Sequence, residues 1–215
     1  MIQSYDALMV GKYEAIMRAQ RLNAEDVNRR NLVILSILTD KSEDDLLDMA
    51  VPKFRELMDK AAFLRLPLRP APVLKTYNLG GLTLRTCADI QKMTTAQYID
   101  FQTFAKQPED LTAELLSCFL IPAGHRYNVD YDILEVQRTI REYLPVTAAH
   151  GLLAFFLEKS ERSTITTLRS SARVLKRASR KTNDPRITEA TMQLMRSILS
   201  LRAGVGRRMS TPCLK

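Results

Sequence analysis

No stretch of this 215-residue chain approaches the ~20 consecutive apolar residues needed to span a bilayer. The N-terminus, MIQSYDALMVGKYEAIM, sets acidic residues in an amphipathic pattern where a secretory leader would show a basic start and an unbroken apolar run. Neither secretion nor membrane insertion is expected. Cysteine is sparse: Cys87, Cys118 and Cys213 are odd in number, far apart and without C-x-x-C spacing, which points away from a disulfide framework or a zinc site and fits a reducing cytoplasm. Histidine is sparser still. His125 and His150 lie 25 residues apart with no carboxylate or cysteine at ligand spacing, so they read as a loop histidine and a helix-start histidine. Also missing are G-x-x-x-x-G-K-[ST], G-x-G-x-x-G, G-x-S-x-G and H-E-x-x-H. An enzyme is the least favoured class, and no cofactor or metal is expected.

What is present is ordinary in bulk and uneven in detail. Hydrophobic residues make up 46% of the chain and charged residues 26%, enough for a sizeable core in a soluble globular protein. The net charge of +8 is not shared out: residues 159–215 carry 14 Lys and Arg against 3 Asp and Glu, or +11, which leaves −3 for residues 1–158. The basic character therefore belongs to the C-terminal quarter.

The hydrophobic spacing predicts a mainly α fold, a multi-helix bundle with one small β-hairpin near residues 73–85 and a basic C-terminal helical pair. The hairpin rests on Leu74, Thr76 and Leu82-Thr83-Leu84 flanking Asn78-Leu79-Gly80-Gly81, where paired glycines accept positive φ without a Cβ penalty. A first helix is expected over residues 4–20, with Tyr5, Leu8, Met9 and Ile16 on one side, the polar remainder in water and Gly11 as a weak point. Asn23 is the expected N-cap of a second helix carrying Val27, Ile34, Leu35 and Leu38. Ser42 with Glu43, Asp44 and Asp45 opens a short third, and Pro52 starts a fourth bearing Phe54, Leu57, Met58, Ala61 and Leu64.

Residues 66–72, LPLRPAP, hold three prolines in seven positions and predict an extended connection, a hinge between an N-terminal helical unit (residues 1–65) and a hairpin plus helical core (residues 66–158). Thr94-Thr95-Ala96-Gln97 has the form of a capping box, so a helix should begin at Thr95. Pro108-Glu109-Asp110 starts another, with Leu111, Leu115, Leu116 and Phe119 as core candidates, and Ile121-Pro122-Ala123-Gly124 stops it. Asp132 with Glu135 resembles a second capping box ahead of Ile133, Val136, Ile140 and Leu144. Thr147 could cap a further helix through Leu152, Leu153, Phe155 and Phe156. In the basic helical hairpin, residues 159–203, Ile165, Leu168, Ala172 and Leu175 form a narrow seam beside a stripe of Arg169, Arg173, Lys176, Arg177 and Arg180. Residues 204–215 read as a disordered tail.

Two acidic groupings invite a chemical reading and have plainer ones. Asp40, Glu43, Asp44, Asp45 and Asp48 could suggest a cation site but lack the glycine and terminal glutamate of a calcium loop, so a solvated helix start accounts for them. Asp130 and Asp132 lack a nucleophile or pocket, and capping accounts for Asp132. The basic stripe could neutralise phosphates or meet an acidic protein surface, or simply solubilise a helix. No aromatic residue follows Phe156 to stack bases.

Thr95-Ala96-Gln97-Tyr98-Ile99-Asp100-Phe101-Gln102, then Phe119-Leu120-Ile121-Pro122-Ala123-Gly124, then Tyr127-Asn128-x-x-Tyr131-Asp132 and Phe155-Phe156, resemble a family of small tailed-bacteriophage proteins called tail-assembly-chaperone-like. The resemblance covers roughly residues 30–158. It implies a mostly helical protein without catalytic residues, acting in virion morphogenesis by binding the tape-measure or another tail component in the host cytoplasm. On this reading Tyr98, Phe101, Phe155 and Phe156 are the partner-binding candidates, although most of them suit a core as well as an interface. The basic region after residue 159 lies outside the resemblance. It supports two other readings: a nucleic-acid-binding protein acting through Arg169, Arg173, Lys176, Arg177 and Arg180, or a structural virion component that oligomerises through residues 165–201.

Overall fold

The computed structural model describes residues 1–87, 92–106, 112–159 and 170. The chain divides into two compact units, Met1–Phe155 and Phe156–Lys215. Most of the second, including the expected basic hairpin, its stripe and the tail after residue 204, lies outside the described residues, as does the expected helix start at Pro108.

The first unit is mainly helical with a small antiparallel sheet, as the spacing predicts. A 3-10 turn, Tyr5–Ala7, leads into α1 (Val10–Leu22), followed by α2 (Val27–Thr39), α3 (Glu43–Leu47), α4 (Val51–Lys60) and a second 3-10 turn, Ala61–Arg65. Strands β1 (Thr76–Leu79) and β2 (Leu82–Thr86) form the hairpin. Then come α5 (Thr95–Lys106), α6 (Thr112–Ser117), β3 (Leu120–Pro122) and α7 (Ile133–Tyr143). Residues 146–159 are helical and are called α8.

Local chemistry explains most of the boundaries. The helix expected from residue 4 starts at Val10 instead, because Leu8 and Val10 are diverted into backbone bonds with a distant segment: Val10 N–H donates to Leu144 O at 3.0 Å and Val146 N–H donates to Leu8 O at 2.8 Å. Asn23 closes α1 in place of opening α2, its side-chain amide donating to Ala19 O at 2.9 Å, and the cap of α2 is Asp26, which accepts from Arg29 N–H at 2.9 Å. Both are Asx residues ahead of an apolar run, and the one three residues before a free N–H takes the role. Ser42 and Asp45 form the full reciprocal box at α3. Asp132 caps α7 through Leu134 N–H at 2.9 Å.

The hairpin register pairs Leu79 with Leu82 across Gly80-Gly81, whose φ values of +52° and +86° suit a two-residue type I′ turn. Tyr77 and Leu84 face the core as a cross-strand pair. Outside, Thr83 Oγ1 donates to Asn78 Oδ1 at 2.9 Å. The third strand has no counterpart in the sequence reading, which took Ile121-Pro122 only as a helix stop. Leu84 pairs with Pro122 and Thr86 with Leu120, so β2 is central. Pro122 is tolerated because β3 is an edge strand, where a missing N–H costs no ladder bond.

Helix α1 is the element on which the unit is assembled, and it is buried on two sides. Ile16 and Ala19 join Leu32, Ile34, Leu35, Leu38, Leu46, Ala61 and Val146 in an apolar cluster with α2, α3 and the start of α8. Glu14, well over a right angle from both Ile16 and Ala19 around a 3.6-residue helix, faces α6 and α7, and Gly11 lies against α7. Gly11 is thus not merely a weak helix former. A Cβ there would sit 3.1 Å from Arg141 Cβ and from Arg141 O, so glycine lets the two helices close up.

The segment 66–72 forms neither helix nor strand, in keeping with its three prolines. It lies within the first unit, tied down at Ala71, whose N–H donates to Thr147 O at 2.9 Å. Ala71 O rests against Gly151, where a Cβ would lie 2.1 Å away, closer than any van der Waals contact allows. Gly151→Ala is therefore expected to lower stability by about 1–3 kcal/mol through forced displacement of the strap, read as a lower urea midpoint at unchanged slope.

Candidate functional site

Side chains of α5 meet the α6–β3 connection and the loop after β3 at one place. The α5 cap forms as expected: Gln97 N–H donates to Thr94 Oγ1 at 3.2 Å and Thr94 N–H to Gln97 Oε1 at 3.3 Å. The same Gln97 is buried and uses its amide Nε2 on Cys118 O at 2.5 Å, so the cap residue also pins α5 to the end of α6. One turn on, Asp100 Oδ2 accepts from the Tyr127 hydroxyl at 2.9 Å, and Phe101 meets Phe119 edge-on with centroids 5.3 Å apart. Tyr127 OH lies 3.7 Å from Cys118 Sγ, which is also 3.6 Å from Glu114 O. Burial pushes the Cys118 thiol up to about 12, against its hydrogen bond to Tyr127, and pushes Tyr127 up as well. So placed, the buried thiol packs as a small, weakly polar group.

Of the partner-binding candidates, Tyr98 is 50% exposed and Phe101 only 7%. Phe155 is half-buried and Phe156 buried. Tyr98 shares its outward position with Ile99, 56% exposed and not singled out in the sequence. Helical spacing places Ile99 opposite the inward Gln97 and Phe101, with Tyr98 on the flank. The basic candidates Arg169, Arg173, Lys176, Arg177 and Arg180 lie outside the described residues.

The acidic grouping resolves into separate pairings. Lys12 Nζ donates to Asp40 Oδ1 at 2.6 Å, Arg29 pairs with Glu43, and Asp45 is engaged with Ser42, whose hydroxyl and N–H hold its carboxyl below the usual range. No group of three or more His, Cys, Asp or Glu side chains among the described residues is placed to hold a metal ion. His125 stacks edge-on against Tyr131, centroids 6.1 Å apart.

The strongest charged constellation centres on Glu14, which the hydrophobic spacing assigns to the water-facing side of the first helix. Glu14 is 9% exposed. Its Oε1 accepts from Ala113 N–H at 2.9 Å and its Oε2 from Arg141 Nε at 3.0 Å, while Arg141 Nη2 pairs with Glu114 Oε1. Glu114 Oε2 is buried without a hydrogen-bond partner among the described residues. No neighbouring residue signals the burial of Glu14 in the sequence, since its partners lie 99 and 127 residues away. Burial raises the Glu14 carboxyl above its ordinary value, outweighing the Ala113 N–H and the Arg141 guanidinium, which pull it down, and Glu114 adds to the rise. Burial alone would lower Arg141, but its pairing with Glu14 and Glu114 leaves it raised. The triad ties α1, α6 and α7 together.

Two outcomes are expected. Arg141→Met leaves two neighbouring carboxylates without their cation and should cost about 3–5 kcal/mol in denaturant unfolding. Because the folded carboxyl of Glu14 is raised above the unfolded value of 4.5, its contribution is fully present below pH 4.5 and is lost as pH rises through the folded value. The stability of the wild type relative to Glu14→Gln should therefore increase as pH falls from 7 toward 4.5, measured as paired urea midpoints.

No protein-family model matches the chain, and neither a curated protein nor a solved structure matches it.

Proposed function

We propose that the chain is a non-enzymatic bacteriophage morphogenesis protein, a tail assembly chaperone that binds a tail component in the host cytoplasm. The observation that carries this reading is the convergence at α5. Gln97, Asp100 and Phe101 are tied to Cys118, Tyr127 and Phe119 respectively, and all of these but Cys118 belong to the segments that carry the resemblance. That arrangement turns Tyr98 and Ile99 outward as an uncharged, partly apolar face. Aromatic and β-branched side chains of this kind anchor protein partners through desolvation, with little need for charge. No helix among the described residues is long and apolar enough to cross a membrane.

Co-expression with the long tail proteins of the same phage tests the proposal. One of them is expected to co-purify, and Tyr98→Ala combined with Ile99→Ala should reduce recovery at least about tenfold, as removal of a central anchor does, while the urea midpoint changes little. Failure to associate with any tail or other virion component overturns it.

The charge split favours a second reading, a nucleic-acid-binding or structural virion protein acting through Arg169, Arg173, Lys176, Arg177 and Arg180, with a homo-oligomer formed through residues 165–201. Residues 159–215 hold +11 against −3 for the rest. Phosphate neutralisation by such a segment predicts DNA binding that falls steeply between low and moderate salt, read by fluorescence anisotropy. Binding that is absent at low salt, or indifferent to removal of the five charges, excludes this reading. Light scattering before and after truncation at residue 160 tests the oligomer.

A further inference from the structure

Helix α5 is attached along one narrow stripe. Of its twelve residues only Gln97 and Phe101 are buried, and both lie in the first two turns. The ties that join it to neighbouring described residues are the Gln97 amide on Cys118 O, the Tyr127 hydroxyl on Asp100, and the Phe101 ring on Phe119. Among the described residues, Thr103 Oγ1 bonds within the helix, donating to Ile99 O. Across the unit, α7 buries four of its residues and holds the Arg141 triad, with α1 and α6 on either side. Elements with few buried contacts open at free energies below that of global unfolding, as cooperative pieces.

Cys118 lies under this attachment. It is 0% exposed, its carbonyl is held by Gln97, and the hydroxyl against its sulfur belongs to Tyr127, which is itself tied to Asp100. We propose that α5 opens as a unit, with Phe101 as the latch and the Tyr127–Asp100 bond as the tie, uncovering Cys118 and Phe119 while α1, α6 and α7 stay assembled. Departure of α5 removes the amide from Cys118 O, the aromatic edge from Phe119 and the acceptor that holds Tyr127 in place, all three together. In the closed state the thiol keeps its proton and is shielded, so its modification reports the open state alone.

The test uses the full chain carrying Cys87→Ser and Cys213→Ser, which leaves Cys118 as the sole thiol. Its labelling by an aromatic disulfide reagent in native buffer is compared with global unfolding followed by far-UV circular dichroism, and with hydrogen exchange resolved by peptide. Labelling is expected at least about tenfold faster than global unfolding, a margin of ~1.4 kcal/mol, with amides 95–106 exchanging in step and those of α7 still protected. Phe101→Ala should accelerate labelling about tenfold more. If that variant does not fold, Asp100→Asn, which weakens only the tie, should accelerate it about threefold. Labelling that follows global unfolding at every denaturant concentration overturns the proposal. So does labelling while amides 95–106 remain protected, which would assign the opening to another element.

Discussion

One guanidinium shared by two carboxylates from distant parts of the chain holds the first unit to a single arrangement. Glu14 and Arg141 are 127 residues apart in sequence, and Glu114 comes from a third helix. Apolar packing alone would let α1 slide or rotate against α6 and α7 at small cost, because hydrophobic burial is not directional. An ion pair with hydrogen bonds at fixed positions does not tolerate a shift of one residue. The charge bears a desolvation penalty, visible in the raised carboxyl of Glu14. What the triad adds is register more than net stability, and Gly11, beside Arg141, keeps the helices near enough for the bonds to form.

The rest of the unit follows from α1 being covered on two sides. Its Ile16 and Ala19 side gathers α2, α3 and Val146 into an apolar cluster, and its Glu14 side gathers α6 and α7. The sheet attaches through α7, where the Tyr143 ring lies over Gly80 so closely that a Cβ there would be 2.6 Å from it. Gly80 thus meets two requirements at once, positive φ for the turn and absence of a side chain under the ring. Helix α5 joins this framework later in the hierarchy, through contacts to the α6–β3 connection and the loop after it.

Local patterns were legible and partner-dependent ones were not. The two-glycine turn, the Thr94–Gln97 box, the Ser42 cap and the proline-bound strap all follow from chemistry within a few residues, and a single sequence displays them. Strand β3 could not be read this way. Three residues are too short for a period, and they become a strand only because Leu84, Arg85 and Thr86 lie alongside. The delayed start of α1 and the burial of Glu14 have the same origin, since both depend on residues more than a hundred positions away. At the candidate site, spacing alone places Phe101 and Tyr98 three apart on neighbouring positions, and it is Phe101 that packs against Phe119.

The pairing of residues 8–10 with 144–146, closed by the Met9–Pro145 bridge, has a bearing on how the protein is made. A ribosome adding about 5–20 residues per second leaves an interval on the order of ten seconds between the emergence of Leu8 and that of Val146. Through that interval the apolar side of α1 can find α2, but its Glu14 side has no cation to meet. The nascent N-terminal helices therefore leave the exit tunnel as an incomplete half-structure, and co-translational completion waits for the segment that carries Arg141.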